Sequence, residues 1–271
     1  MRAAGSNWRL LAWLAMPAVL LAALLAVIWH AHWQHAKLAE ALLRSYPQDV
    51  DVHPALVRFA DAEARPLYKS NCAGCHGADM RGNPALGAPA LTGGHWLWGN
   101  GSVFQIERIL LYGIRSGQPK SLNATDMPAF GLMGRLSEGQ VRELVQYLMK
   151  LNRRPYDTEA ANAGDALYHS ELYGCYDCHG ADARGNPDYG APDLTANVWN
   201  NGASEQAIHD SIFYGRHRVM PAWKGRLTLE QIRALAVYLH GLSAAAQAPA
   251  PPLDAAASST AHEPAAAEGG D

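Results

Sequence analysis

Residues 72–92 read CAGCHGADMRGNPALGAPALT, and residues 175–195 read CYDCHGADARGNPDYGAPDLT. The two stretches lie at a constant offset of 103 residues, and the register continues to Trp96 and Trp199 and to Gly99 and Gly202. Further on, Asp126-Met127-Pro128-Ala129-Phe130 in the first copy matches Val219-Met220-Pro221-Ala222-Trp223 in the second. Self-similarity over such a length marks a duplicated unit. Each copy closes on an amphipathic pattern, Leu136 to Leu151 and Leu227 to Leu242. Val141, Leu144, Val145 and Leu148 recur at helical spacing in one, and Ile232, Leu235, Ala236 and Leu239 in the other. Ser137 with Gln140, and Thr228 with Gln231, form S/T-x-x-Q capping boxes. Shorter helices are expected before each cysteine pair, around 64–71 and 165–173, and almost nothing reads as a strand. The expectation is an all-α chain with two tandem domains, 63–153 and 164–243, joined by a linker over 154–163. Domains of this size bury little apolar surface of their own, so each needs something else to complete its core.

The cysteines show what that is. All four lie in two C-x-x-C-H strings, Cys72, Cys75 and His76, then Cys175, Cys178 and His179. Two thiols two residues apart can each add to one vinyl group of a porphyrin, and the following histidine then reaches the iron. This is the attachment pattern of c-type haem. Zinc would need four ligands, and each string offers three. A redox dithiol of the thioredoxin kind needs a βαβ setting, which is missing here. Two covalently bound haem c groups are therefore expected, with His76 and His179 as axial ligands.

A thioether suits the other face of an electron-transfer iron. Met127 follows His76 by 51 residues and Met220 follows His179 by 41, each in a Met-Pro-Ala-aromatic loop. Met80 is too close to the cysteines to reach the far face. Met133 and Met149 have no counterpart in the other copy. His217 is the rival to Met220. Whether each methionine serves its own copy or the other stays open at this point. Pro89 and Pro192 stand 13 residues after the two histidines, and their carbonyls are placed to accept the ring N–H. Arg115 is a candidate partner for a haem propionate, and Arg216 or Arg218 for the second. Trp96, Trp98 and Trp199 read as haem-packing core.

The ends of the chain differ in kind. Leu10 to Trp29 is a run of 20 uncharged residues, long enough to cross roughly 30 Å of hydrocarbon. Trp8 and Trp13 stand near one end and Trp29 and Trp33 near the other, as in an interfacial aromatic belt. A cleaved signal peptide is the competing reading, but the run is long and His30, His32 and Trp33 crowd any cleavage site. Residues 1–36 are thus expected to anchor the chain, 37–62 to be a linker, and 244–271, rich in Ala, Pro, Ser and Gly, to be a disordered tail.

The formal charge of -3 in 271 residues gives nucleic acid nothing to bind. Charge is uneven along the chain, however. Residues 63–153 hold 10 basic and 6 acidic side chains, and 164–243 hold 6 and 9. Steering of a basic electron donor toward the second copy is the corresponding expectation.

From Ala64 to Leu242 the sequence resembles the dihaem subunit of cbb3-type cytochrome c oxidase, CcoP or FixP. The likeness is carried by the two Cys-x-x-Cys-His strings, Trp96-Leu97-Trp98-Gly99, Gly113-Ile114-Arg115-Ser116-Gly117 and the two Met-Pro-Ala loops. The resemblance implies a single-pass anchor in the bacterial inner membrane and two class I cytochrome c domains in the periplasm. It also implies electron transfer from a periplasmic cytochrome c toward other oxidase subunits. By matching, His76 and Met127 would hold one iron, and His179 and Met220 the other. If both irons are six-coordinate, the chain does no bond chemistry of its own. A free-standing dihaem carrier for another redox complex is the second reading, and a dihaem peroxidase the third.

Overall fold

The computed structural model describes residues 8–196 and 199–247, with side chains from Met16 to Ala244 within those limits. All regular structure among them is helical, with isolated β-bridges but no sheet. Helix α1, Trp8–Arg44, has 37 residues and is about 55 Å long at 1.5 Å per residue. Its stretch from Met16 is apolar enough to cross a membrane, and Val19, Leu20, Leu24, Leu25 and Ile28 are all exposed. Trp29 and Trp33 stack at 6.4 Å, and the Lys37 ammonium sits 3.6 Å from the Trp33 ring centroid. The side chains of Trp8 and Trp13 lie outside the described residues, as does the expected tail from residue 248 onward.

Beyond α1 come a 3-10 turn, Pro47–Val52, and helices α2 (Pro54–Asn71), α3 (Ala73–His76), α4 (Val103–Tyr112), α5 (Glu138–Leu151), α6 (Thr158–Tyr168), α7 (Cys175–His179), α8 (Glu205–Phe213) and α9 (Leu229–Gln247). Both capping boxes form. Ser137 Oγ accepts from Gln140 N–H at 3.3 Å while the Gln140 side chain accepts from Ser137 N–H at 2.9 Å. Thr228 and Gln231 repeat this at 3.3 and 3.0 Å.

The helices before the cysteines differ from expectation. The first begins at Pro54, ten residues early, and the second spans 158–168 and stops well before Tyr173. The first starts where Pro54 stands at its first turn, and the second stops early because of a difference in spacing. Tyr68 and Tyr168 are structural twins, each donating its hydroxyl to the carbonyl of the glycine after the motif histidine, Gly77 and Gly180, at 2.7 Å. Tyr68 stands four residues before Cys72, but Tyr168 stands seven before Cys175, and the extra residues form a turn over 169–174.

The cores do not follow the sequence copies. One core joins Leu42 of α1, Val50, Leu56 and Ala60 of α2, and Val103, Ile106 and Leu110 of α4 to Ile232, Leu235, Ala236 and Leu239 of α9. The other joins Val141, Leu144, Val145 and Leu148 of α5 to Tyr168 of α6 and to Ile208 and Ile212 of α8. Each closing helix thus packs in the unit of the other copy. The expected domains 63–153 and 164–243 are not self-contained. The second unit is a continuous stretch from Met127 to Phe213, inserted between α4 and α9 of the first. Nor is 37–62 a free linker, since Leu42, Val50 and Ala60 are fully buried in the first core. Within 154–163, α6 begins at Thr158 and buries Ala161.

The exchange is made where two extended segments cross. Ile114 and Met220 exchange backbone hydrogen bonds at 3.0 and 2.9 Å, and Met127 and Arg216 at 3.3 and 3.0 Å. The crossing is pseudo-symmetric, because Tyr112-Gly113-Ile114 and Tyr214-Gly215-Arg216 are equivalent in the two copies. Gly113 and Gly215 both take φ of 71°, where an L side chain is strained. A Cβ on Gly113 would stand 2.4 Å from Met220 O, and one on Gly215 2.5 Å from Met127 O.

The second copy also holds the end of α1. Arg233 of α9 is buried and pairs with Glu107 of α4 at 2.5 Å. Its guanidinium also donates to Leu42 O and Ser45 O at the end of α1, at 3.2 and 2.9 Å. These late carbonyls have no partner within their own helix, and a cation there opposes the helix dipole.

Candidate haem-binding sites

In the second unit the left-handed Gly174 turns the chain into α7. The short helix presents Cys175, Cys178 and His179 to one cavity, which is also lined by Met127 and Pro128. Leu136, Leu144, Leu148, Ile208 and Ile212 supply its apolar walls. The loop after α7 closes on the histidine, with Gly185 N–H donating to His179 O at 2.8 Å. His179 Nδ1 lies 3.1 Å from Pro192 O. In the first unit His76 Nδ1 lies 2.9 Å from Pro89 O, and His76 is buried. The expected proline acceptors are therefore in place in both copies. Each bond turns the ring so that Nε2 is the free nitrogen. Burial holds both imidazoles below their usual pKa against the opposing pull of the proline carbonyl, which favours the neutral ligand form. Burial also pushes the Cys72 and Cys175 thiols up to about 11. A redox dithiol needs the opposite shift.

The methionines arrive crosswise. Met127 lines the cavity of His179, and Met220 packs with Trp223 against the core that holds Cys72 and Met80. The pairing expected by matching along the sequence, His76 with Met127 and His179 with Met220, is corrected on this point. Each Met-Pro-Ala loop lies after the crossing, and so it belongs to the other copy's unit.

The rivals are accounted for. The largely exposed His217 turns its Nδ1 to Asp126 at 2.7 Å. Met133 is exposed, and Met149 is buried on α5 in the second core.

All three candidate arginines, Arg115, Arg216 and Arg218, line the His179 cavity, so the expected assignment of Arg115 to the first copy's haem does not hold. Arg115 pairs with Asp126 and donates to Thr125 O and Arg218 O. Trp199 Nε1 and Asn201 Oδ1, also on residues lining the cavity, are buried without a hydrogen-bond partner. A buried indole N–H left unpaired costs roughly 1–3 kcal/mol. An apolar cleft with two thiols, an imidazole and a thioether, edged by three guanidiniums and an orphan N–H donor, fits a porphyrin with its anionic propionates. Trp96 belongs to the first unit, where its Nε1 donates to Ser243 Oγ at 2.8 Å. Trp98 is buried at the junction of the units, and a Cβ on Gly190 would lie 2.1 Å from its ring. Leu97 and Gly87 from the first copy also line the second cavity. Sequence reading missed this junction, though the Tyr-Gly pair shared by both copies marks the crossing that creates it.

Comparison with known proteins agrees with this chemistry. The family model described as Cytochrome c matches residues 62–152, and the one described as Cytochrome C oxidase, cbb3-type, subunit III matches residues 159–239. The chain is 40% identical over 206 residues to the cbb3-type cytochrome c oxidase subunit FixP of Bradyrhizobium sp. (strain ORS 278), covering 74% of this chain and 68% of that protein. It is 32% identical over 208 residues to the subunit CcoP of Cereibacter sphaeroides, covering 77% and 70%. For CcoP of Azospirillum brasilense the figures are 35% over 212 residues, 76% and 70%. The chain belongs to the CcoP/FixP family of cbb3-type oxidase subunits. Members of this family carry cytochrome c domains, which bind haem c covalently. The second family match runs along the sequence copy and so crosses both folded units. Its last helix, α9, completes the core of the first.

Proposed function

We propose that this chain is the anchored dihaem relay of a cbb3-type oxidase. It takes single electrons from a periplasmic cytochrome c and passes them toward the haem–copper subunit. One haem is held by Cys72, Cys75 and His76 with Met220, the other by Cys175, Cys178 and His179 with Met127. The haems, when bound, would supply one-electron redox chemistry. The chain's own residues orient the histidines through Pro89 and Pro192, exclude water with apolar walls, and offset propionate charge with arginines. With a histidine and a methionine assigned to each haem, the chain would pass electrons and catalyse no bond chemistry of its own. Helix α1 holds the haem units on the periplasmic face of the inner membrane. The observation that carries this reading is the convergence of a C-x-x-C-H string, a Met-Pro loop and three arginines on one cavity.

The test uses single-haem variants of the membrane-purified protein. With Cys175→Ala and Cys178→Ala, only the haem at His76 remains. Met220→Ala should then abolish the sulfur-to-iron charge-transfer band and lower the potential, while Met127→Ala should leave both unchanged. The reverse result would refute the crossed ligation. Failure of the wild-type chain to co-purify with a haem–copper subunit would refute the oxidase role.

A further inference from the structure

Two departures from internal symmetry meet at one place. The Met-Pro loop of the second unit, Met127 to Ser137, is two residues longer than its twin from Met220 to Thr228, and the extra length brings Leu132 and Met133. The turn over 169–174 is the three-residue excess before Cys175, and it brings Leu172. Leu132, Met133 and Leu172 are exposed at 65%, 62% and 69%. The two loops are tied together. Arg135 donates to Leu172 O at 3.0 Å, and Gln140 Nε2 lies 3.2 Å from the Tyr173 hydroxyl. Phe130 and Leu136 of the first loop and Gly174 of the second line the His179 cavity together with Cys175 and Cys178, so both loops border its cysteine edge. Exposed Glu171, Asp177 and Asp182 stand around them. The whole second unit, 127–213, carries 12 acidic and 6 basic side chains. Scattered exposed apolar residues are ordinary, but an apolar cluster with a charged rim beside a redox centre is built like an interface.

We infer that Leu132, Met133 and Leu172 form the docking patch for a small soluble electron carrier with a basic rim, and that electrons enter this chain at the His179 haem. This rests on the relay reading above. The step moves one electron from the ferrous centre of the carrier to the ferric iron at His179, with no proton or bond exchanged. The acidic surround steers the encounter and the apolar patch holds it.

The probe is a ferrous, lysine-rich mitochondrial-type cytochrome c, mixed in stopped flow with the oxidised full-length protein in detergent. Leu132→Ser with Met133→Ser, and separately Leu172→Ser, should each lower the second-order rate at least tenfold. The rate in the wild type should fall steeply with added salt. Leu86→Ser on the first unit, also exposed, should change nothing. Reduction by a small uncharged quinol should be the same in all variants. Unchanged rates with cytochrome c would overturn the patch while leaving the relay standing. A wild type that neither donor reduces would overturn the relay itself. Normal uptake from cytochrome c with impaired oxygen consumption in the assembled oxidase would also overturn the inference, because the patch would then face the oxidase.

Discussion

Gly113 lies against the carbonyl oxygen of Met220, 2.4 Å from where its Cβ would be, and Gly215 stands in the same relation to Met127. The crossing of the two copies depends on this approach. Gly113→Ala or Gly215→Ala forces a left-handed backbone onto a side chain and pushes the paired strand away. The conformational part alone costs about 1–2 kcal/mol, and the clash adds to it. We expect a loss of at least about 2 kcal/mol in denaturant unfolding. Gly113→Ala should weaken the methionine signal of the His76 iron, and Gly215→Ala that of the His179 iron.

Arg233 should be the most sensitive charged position outside the haem sites. Its partner Glu107 is itself only 16% exposed. Arg233→Met strands that carboxylate and uncaps Leu42 O and Ser45 O, so we expect a loss of about 3–5 kcal/mol. Adding Glu107→Leu should recover most of it. Thermal unfolding of the three proteins in detergent checks this, and a double variant no better than the single would contradict it.

His169 ties the 169–174 turn to the rest of the second unit. Its Nε2 lies 3.0 Å from Ala181 O, and its Nδ1 2.8 Å from an Asp165 carboxylate oxygen. The Ala181 carbonyl raises its pKa most, burial opposes it, and the backbone and side chain of Asp165 add to the rise, so the net shift is upward. A raised folded-state pKa means that the charged form is bound more tightly in the native state. The contribution is therefore full below the unfolded value of 6.5 and disappears as pH rises through the higher folded value. His169→Gln should melt earlier than wild type in mildly acidic buffer and level with it in alkaline buffer. A gap independent of pH would show that the ring acts only by packing.

Much of the site was legible from local chemistry. The C-x-x-C-H strings, the proline acceptors at a fixed distance from each histidine and the capping boxes are all short-range patterns, and the proline contacts and capping boxes form where the sequence put them. The partnership between copies was not legible, because apolar periodicity shows that α5 and α9 have a buried face but not which core receives it. Two equivalent units offer equivalent faces. The unequal spacings, 51 residues from His76 to Met127 and 41 from His179 to Met220, hinted that the copies were not laid out independently. The run from Lys37 to Ala62 read as a linker for a related reason. Leu42, Val50 and Leu56 are too sparse to show as a period, and their burial comes from α9, which lies far along the chain.

The insertion of one unit within the other also reverses an order. The chain emerges from its N-terminus, so Cys72, Cys75 and His76 are made before Cys175, Cys178 and His179. Yet the apolar core around the later motif, from Met127 to Phe213, is complete once α8 has emerged, and only Arg216 and Arg218 of its cavity follow. The earlier motif must wait for Met220 and for α9, at the far end of the described chain. A truncation in α9 would therefore leave the second motif enclosed and the first gaping. The part of the molecule made first is the part finished last.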